Sequence, residues 1–200
     1  MKQLVKSLSH KKGWVFDLDG TLTLPVHDFA LIRRELNIAG DEDILGFIHR
    51  QPPERMRTML EQLDELELQF AALAKVAEGA EALLHSLDTR GCVAGILTRN
   101  SKDVALRTLE SVGLDHYFIE SMVLGRVEAP PKPSPVGINI LIKQWGMNHE
   151  SVVMVGDFHY DLLSGRSAQV STVHVDKSDR SWPEETDIRV KTLSELRAFI

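Results

Sequence analysis

The chain has 200 residues, of which 43% are hydrophobic, and this suits one compact domain or one domain that carries a modest insert. The formal net charge is −6 and the basic residues are dispersed, so a nucleic-acid-binding function is not indicated. A single cysteine excludes an internal disulfide, and no stretch approaches the roughly 20 apolar residues of a membrane span. We therefore expect a cytoplasmic protein with neither a nucleic-acid nor a membrane partner.

Three short apolar runs, each closed by polar residues, predict buried strands. In chain order the runs are 14–18, 92–97 and 152–155, and the residues that close them are Asp19 and Gly20, then Thr98, Arg99 and Asn100, then Gly156 and Asp157. Helical patterns predict helices over 102–112, 135–145 and about 161–167. A shorter strand is predicted over 171–175, and a last short helix begins near 194–197. Strands alternating with helices predict an α/β fold with a doubly wound parallel sheet, in which functional residues lie at the carboxyl ends of the strands.

The segment 25–76 interrupts this alternation, because its patterns are helical only: 28–37, about 41–50, and a long helix that opens at Pro53. Fifty residues are too many for a single crossover. We therefore expect an inserted helical cap at 25–76 and a core formed by 1–24 and 77–200. The long helix carries an apolar stripe of Met56, Leu60, Leu63, Leu66, Phe70 and Leu73. Its acidic residues lie off the stripe and are expected on a solvated face: Glu61, Asp64, Glu65 and Glu67.

The pentapeptide from Asp17 to Thr21, DLDGT, is the most informative one in the chain. Side chains alternate along a strand, so Asp17 and Asp19 point to one side, where two carboxylates repel unless a cation or a proton separates them. Mg²⁺ suits such a site, because it binds one or two carboxylates together with waters and a substrate phosphate. A turn held by Asx hydrogen bonds is the purely structural alternative.

Other chemistry-bearing residues follow the later strands. Thr98 offers a hydroxyl, Asp157 and Asp161 offer carboxylates, and Lys132 lies in a proline-rich stretch that restrains its backbone. Carboxylates, a metal, a lysine and a hydroxyl form the set that phosphoryl transfer requires, since that reaction depends mostly on positioning and charge stabilisation.

The order DLDGT, then an apolar strand with Thr98, then KPSP, then GDFHYD resembles the haloacid dehalogenase-like hydrolase superfamily. The resemblance extends from about residue 14 to 175 and is to the phosphatase branch with a helical cap, similar to phosphoglycolate phosphatase. Dehalogenases of this superfamily lack the second aspartate of the first motif. Asp19 is present here, which points to phosphorus chemistry.

The resemblance implies a role for each matching residue. Asp17 would be the nucleophile that forms an aspartyl-phosphate, and Asp19 the general acid and then the base. Mg²⁺ would be held by the side chains of Asp17 and Asp157 and by the main-chain carbonyl of Asp19, with Asp161 behind them. The remaining roles concern the phosphoryl group, which would be bound by Thr98 and the amide of Arg99, with Lys132 neutralising the nucleophile and the transferred group.

The resulting hypothesis is a Mg²⁺-dependent phosphohydrolase of a small phosphorylated metabolite. A phosphotransferase resembling β-phosphoglucomutase shares every core motif and stays open, and so does a phosphoacceptor binding module resembling a receiver domain. The sequence indicates neither the natural substrate nor the oligomeric state. Candidates for contacts with an anionic substrate are His27 and the basic residues of the cap, which are Arg33, Arg34, His49, Arg50, Arg55 and Arg57.

Overall fold

Six parallel strands form one sheet in the computed structural model, which describes residues 7–200. The strands are β1 (Gly13–Phe16), β2 (Val93–Leu97), β3 (Val123–Leu124), β4 (Val152–Gly156), β5 (Ser171–Val175) and β6 (Ile188–Val190). Their order across the sheet is β3-β2-β1-β4-β5-β6, and every neighbouring pair is parallel. The chain thus builds outward from β1 in both directions, and the predicted doubly wound α/β fold is confirmed.

Eight α-helices accompany the sheet in the described part of the chain. They are α1 (Phe29–Glu35), α2 (Ile44–His49), α3 (Pro53–Ala71), α4 (Ala80–Thr89), α5 (Lys102–Ser111), α6 (Val136–Trp145), α7 (His159–Ser167) and α8 (Leu193–Leu196). No helix within residues 7–200 is long and apolar enough to cross a membrane.

The sheet separates two apolar layers. Trp14 and Phe16 of β1 pack in a cluster with residues of α4, α5 and α8, whereas Val15 belongs to a second cluster with residues of β2, β4 and α6. This alternation follows from the two-residue period of a strand, and burial on both faces explains why β1 and β4 are almost continuously apolar.

Some elements depart from the sequence-based predictions. β1 ends at Phe16 and not at residue 18, because the chain turns from Asp17 onward. The strands β3 and β6 were not predicted, since two and three residues are too short to show a periodic pattern. The helix α4 was also not predicted, although its buried residues recur at helical spacing. The first six residues of the predicted core range 1–24 lie outside the described residues.

The segment 25–76 contains α1, α2 and α3 and has its own apolar cluster, in which Ile32, Leu45, Ile48 and Leu63 are buried. The chain enters and leaves this segment side by side. The amide of Leu24 donates to the carbonyl of Lys75 at 2.8 Å, and the amide of Ala77 donates to the carbonyl of Leu22 at 2.9 Å. We name residues 25–76 the helical segment.

The prediction of a solvated acidic face on α3 is wrong for Glu67. Glu67 is buried, together with Met59, Leu63 and Phe70, while Asp64 is half-buried. Both carboxylates bind Arg126, which lies in the loop after β3. α3 therefore packs on two sides, against the helical segment and against the core, and a single apolar stripe underestimates its buried surface.

Candidate active site

The strand register brings three of the predicted residues to one edge of the sheet. Phe16 of β1 pairs with Ile96 of β2 and with Val155 of β4. The residues that follow these strands, Asp17, Thr98 and Asp157, therefore emerge together at the carboxyl edge, where doubly wound sheets bind ligands.

Asp17 is buried, and both of its carboxylate oxygens have partners. Oδ1 lies 2.5 Å from Nζ of Lys132, and Oδ2 accepts from the hydroxyl of Thr21 at 3.2 Å. Burial raises the pKa of Asp17 well above its usual value; Lys132 opposes this shift, while Asp161 and Asp157 add to it. The carboxylate is therefore held rigidly in a place where its negative charge is poorly solvated, which suits a nucleophile.

Lys132 lies between two carboxylates. Its Nζ atom is 2.7 Å from Oδ1 of Asp161 as well as 2.5 Å from Asp17. Burial acts to lower the pKa of Lys132, but Asp161 and Asp17 outweigh it, so the pKa lies above its usual value and the ammonium group stays charged. Oδ2 of Asp161 accepts from the amide of Phe158 at 3.0 Å, which fixes the carboxylate at the start of α7.

A glycine makes room for Asp161. A Cβ atom on Gly156 would lie 2.3 Å from the side chain of Asp161, so a larger residue at the end of β4 would displace that carboxylate and, through it, Lys132.

Asp19 has a polar partner from the next strand's loop. Nδ2 of Asn100 donates to Oδ2 of Asp19 at 2.7 Å, and Nδ1 of His27 lies 3.7 Å from Oδ1. Burial raises the pKa of Asp19, whereas His27 and Asn100 oppose the rise. A raised pKa lets a carboxyl group carry a proton nearer to neutral pH, as a general acid must.

Carboxylate oxygens of Asp17, Asp157 and Asp161 lie within 4.8 Å of one another. Burial raises the pKa of Asp157 to about 7, with Asp161 adding to the rise and with Lys132 and Arg180 opposing it. These three carboxylates carry more negative charge than Lys132 alone can neutralise, and all of their ligand atoms are oxygens. Mg²⁺ prefers oxygen ligands, so the residues fit this ion. Asp161 already binds Lys132 and an amide, which suits the predicted position behind the metal ligands.

Gly20 lets the first loop approach this cluster. Its φ of +88° lies in the left-handed region, and a Cβ atom there would be 2.8 Å from the carboxylate of Asp157.

Thr98, Arg99 and Asn100 form the loop after β2. Thr98 is buried, its amide donates to the carbonyl of Leu124 at 3.0 Å, and its Oγ1 accepts from the amide of Asn100 at 3.2 Å. The side chain of Arg99 reaches the helical segment, where it binds Oδ1 of Asp43 at 2.6 Å.

The residues predicted for the active site line a cavity of about 750 Å³. The core contributes Asp17, Asp19, Thr98, Arg99, Lys132, Asp157 and Asp161, and the helical segment contributes side chains that include His27, Phe29, Arg33, Asp43 and Ile44. Of the basic candidates in that segment, Arg33 and His27 line the cavity, whereas Arg34 pairs with Glu35 and Arg50 pairs with Glu42.

Sequence reasoning did not assign three residues that the geometry makes prominent, which are Asn100, Asp43 and Arg126. Asn100 follows a predicted strand, and this position was a usable signal. Asp43 binds Arg99, which is 56 residues away in the chain, and Arg126 binds Glu67, which is 59 residues away. Contacts between residues so far apart produce no local sequence pattern.

Comparison with known proteins shows the family of this chain, two relatives and one structure of similar fold. Residues 32–175 match the family model described as haloacid dehalogenase-like hydrolase. A haloacid dehalogenase-like hydrolase domain-containing protein of Arabidopsis thaliana is 28% identical over 94% of this chain and 83% of its own length. The pyrophosphatase PpaX of Listeria monocytogenes is 26% identical over 93% and 94%. A crystal structure of a predicted phosphoglycolate phosphatase from Haemophilus somnus superimposes with a TM-score of 0.75 at 18% identity, covering 94% of this chain and 97% of that one.

Proposed function

Since this chain belongs to the haloacid dehalogenase-like hydrolase family, we propose that it is a Mg²⁺-dependent phosphatase that hydrolyses a small phosphomonoester through an aspartyl-phosphate. One observation carries the proposal. The buried carboxylate of Asp17 is fixed by Lys132 and Thr21 at the floor of a cavity that also holds Asp19 and Thr98.

The first step uses Asp17 and Asp19. A carboxylate oxygen of Asp17 attacks phosphorus, and the bond from phosphorus to the leaving oxygen breaks. The electron pair of that bond goes to the leaving oxygen, which takes the proton of Asp19 and departs as an alcohol. Lys132 balances the charge of Asp17 and of the transferred group, and the Thr98 hydroxyl and the Arg99 amide hold the phosphoryl oxygens.

The second step reverses the role of Asp19. Its carboxylate, now without the proton, takes one from a water molecule as the water oxygen attacks phosphorus. The bond between phosphorus and the Asp17 oxygen breaks, the carboxylate of Asp17 is restored, and inorganic phosphate is released. The hydrogen bond from Asn100 keeps Asp19 in one orientation through both steps.

The residues that would hold Mg²⁺ are Asp17, Asp157 and the main-chain carbonyl of Asp19. When bound, the ion would offset the charge of the carboxylates and polarise the phosphoryl group. Asp161 would stabilise the set from behind through Lys132.

The helical segment is the proposed cap. Its residues His27, Phe29 and Arg33 line the cavity, and we expect them to contact the alcohol portion of the substrate. A single cysteine and the acidic composition are in keeping with a cytoplasmic enzyme. Pyrophosphate should be tested as a substrate beside the phosphomonoesters, because the Listeria relative is a pyrophosphatase.

The test compares the wild type with Asp17→Asn on para-nitrophenyl phosphate, with folding checked by circular dichroism. We expect the variant to fold and to lose turnover. During turnover by the wild type, hydroxylamine should attack the carbonyl carbon of the aspartyl-phosphate and release phosphate, which leaves a hydroxamate on Asp17 that mass spectrometry detects. Parental turnover by Asp17→Asn would overturn the nucleophile assignment.

A second measurement separates the alternatives. A panel of phosphorylated metabolites and pyrophosphate is assayed for released phosphate, in parallel with transfer to an added sugar phosphate. Release to water supports the hydrolase. Transfer in preference to release would identify a phosphotransferase, and phosphorylation without turnover would identify a phosphoacceptor module.

A further inference from the structure

The guanidinium group of Arg126 is buried between the helical segment and the core. Its side chain is 2% exposed, and its Nη1 atom lies 2.9 and 3.2 Å from the two carboxylate oxygens of Glu67 on α3. Nη2 binds Asp64, one turn earlier on the same helix. Nη1 also donates to the main-chain carbonyl of Arg99 at 3.0 Å. One side chain therefore joins the longest helix of the helical segment to the loop after β2.

The backbone of Arg126 holds the same loop a second time. Its amide donates to the carbonyl of Asn100 at 2.9 Å, so the two successive carbonyls of Arg99 and Asn100 both bind Arg126. The contact is close, since a Cβ atom on Gly125 would lie 2.5 Å from the amide nitrogen of Lys102. The loop after β3 thus lies directly against the loop after β2.

The peptide group that Arg126 holds is connected to the reacting groups. The carbonyl of Arg99 and the amide of Asn100 belong to one planar unit. That amide donates to Oγ1 of Thr98, and the Asn100 side chain donates to Asp19. A rotation of this peptide would therefore disturb both the hydroxyl that is to bind phosphate and the proposed acid and base.

We propose that Arg126 is a positioning residue. Its ion pairs with Glu67 and Asp64 dock α3 on the core, and its hydrogen bonds to the carbonyls of Arg99 and Asn100 fix the conformation of the loop after β2. The inference rests on the proposed phosphatase function and deepens it. It links the docked position of the helical segment with the catalytic geometry at Asp19 and Thr98.

The choice of arginine supports a positioning role. Burial of an ion pair costs desolvation, and an apolar pair of similar size would dock two surfaces as well. An arginine offers five donors in a rigid plane, so it can bind two carboxylates and a carbonyl at fixed angles, whereas a lysine offers one flexible centre.

The central test is Arg126→Lys, measured beside the wild type. Because the charge is kept, we expect the variant to fold. We expect kcat/KM to fall about 10- to 100-fold, the scale of a small misplacement of reacting groups. We also expect weaker inhibition by inorganic phosphate and a shifted pH profile of kcat/KM, because Thr98 and Asp19 depend on this loop.

A matched control exists elsewhere in the fold. Arg166 of α7 binds both carboxylate oxygens of Asp187, at 3.0 and 2.5 Å, away from the cavity. We expect Arg166→Lys to keep the wild-type kcat/KM and pH profile. Equal kinetic losses in both variants would overturn the proposal, since they would reflect a general effect of losing a bidentate pair.

A double variant separates positioning from folding. Arg126→Met with Glu67→Met removes both buried charges and leaves side chains of similar volume. We expect wild-type thermal stability with kcat/KM still reduced, together with faster amide hydrogen exchange in 98–102. Wild-type kinetics and wild-type exchange in this variant would overturn the proposal.

The exchange measurement needs no substrate, so the two ideas can fail separately. If the wild type hydrolyses no phosphate ester but exchange in 98–102 still accelerates in the Arg126 variants, the proposed function fails and the docking role of Arg126 stands. If the wild type is active and the variants match it, the inference about Arg126 fails alone.

Discussion

Nζ of Lys132 lies 2.5 Å from Oδ1 of Asp17, although 115 residues separate the two in the sequence. The same nitrogen binds Asp161, so one buried ammonium group forms ion pairs with two buried carboxylates. Removal of the lysine would leave both buried carboxylates without their cation, so a substitution of Lys132 is a sensitive test of the mechanism.

We expect Lys132→Met to lower kcat by about 10²-fold or more, the scale for loss of one preorganised charge-stabilising donor. Stability should fall as well, because two buried carboxylates lose their cation. Steady-state kinetics on para-nitrophenyl phosphate and thermal unfolding measure the two effects. Lys11→Met is the matched control, since Lys11 is also buried but donates to the carbonyl of Glu150, outside the cavity. It should lose stability without losing kcat, and a comparable loss of kcat in the control would contradict the assignment.

The position of Lys132 also shows how far sequence reasoning extends. Asp17, Thr98 and Asp157 could be placed together, because parallel strands end at one edge and the apolar runs mark the strands. Lys132 could be assigned only through its proline-rich context and the family resemblance. The prediction that Glu67 lies on a solvated face is wrong, because its partner Arg126 is 59 residues away in the chain. The spacing of apolar residues within α3 carries no information about that partner. Long-range polar pairs depend on packing between elements, which local pattern does not encode.

Asp19→Asn should affect substrates according to their leaving group. An alkyl phosphate needs a proton from Asp19 to release its alcohol, so we expect a loss of about 10² to 10⁴ in kcat/KM. Para-nitrophenolate leaves more easily without a proton, and here the first step should be nearly preserved. The second step still lacks its base, so a burst of nitrophenolate with accumulated aspartyl-phosphate is expected in rapid-mixing experiments. Equal losses for both substrates and no burst would argue against the acid and base role.

Removal of divalent metal should abolish activity, and added Mg²⁺ should restore it. At about 100 times its Kd, Mg²⁺ should stabilise the fold by about 2.7 kcal/mol, because it binds the native state only. Thermal unfolding in EDTA and in Mg²⁺ measures this shift. Asp157→Asn should lose the Mg²⁺-dependent shift, whereas Asp115→Asn, on an exposed turn, should keep it. A shift of equal size in Asp157→Asn would remove Asp157 from the metal site.

The buried carboxyl of Glu67 predicts a pH dependence of stability. Burial raises its pKa to about 7, although Arg126 opposes the rise; Asp64 and Asp19 add to it. The native state therefore binds this proton more tightly than the unfolded state does, whose pKa is near 4.5. The contribution to the free energy of unfolding is fully present below about pH 4.5 and is lost as the pH rises through about 7.

Glu67→Gln cannot ionise, so its stability should lack this component. We expect the free energy of unfolding of the wild type to fall relative to Glu67→Gln between pH 5 and pH 8, by at most about 3 kcal/mol. Urea unfolding at a series of pH values measures the difference. Glu65→Gln is the control, because Glu65 is exposed on the same helix and its removal should leave the pH profile of the wild type unchanged. Parallel profiles for the wild type and Glu67→Gln would show that Glu67 does not titrate in this range. A wild type that gains stability relative to Glu67→Gln as the pH rises would show that Arg126 outweighs burial and holds the carboxylate ionised.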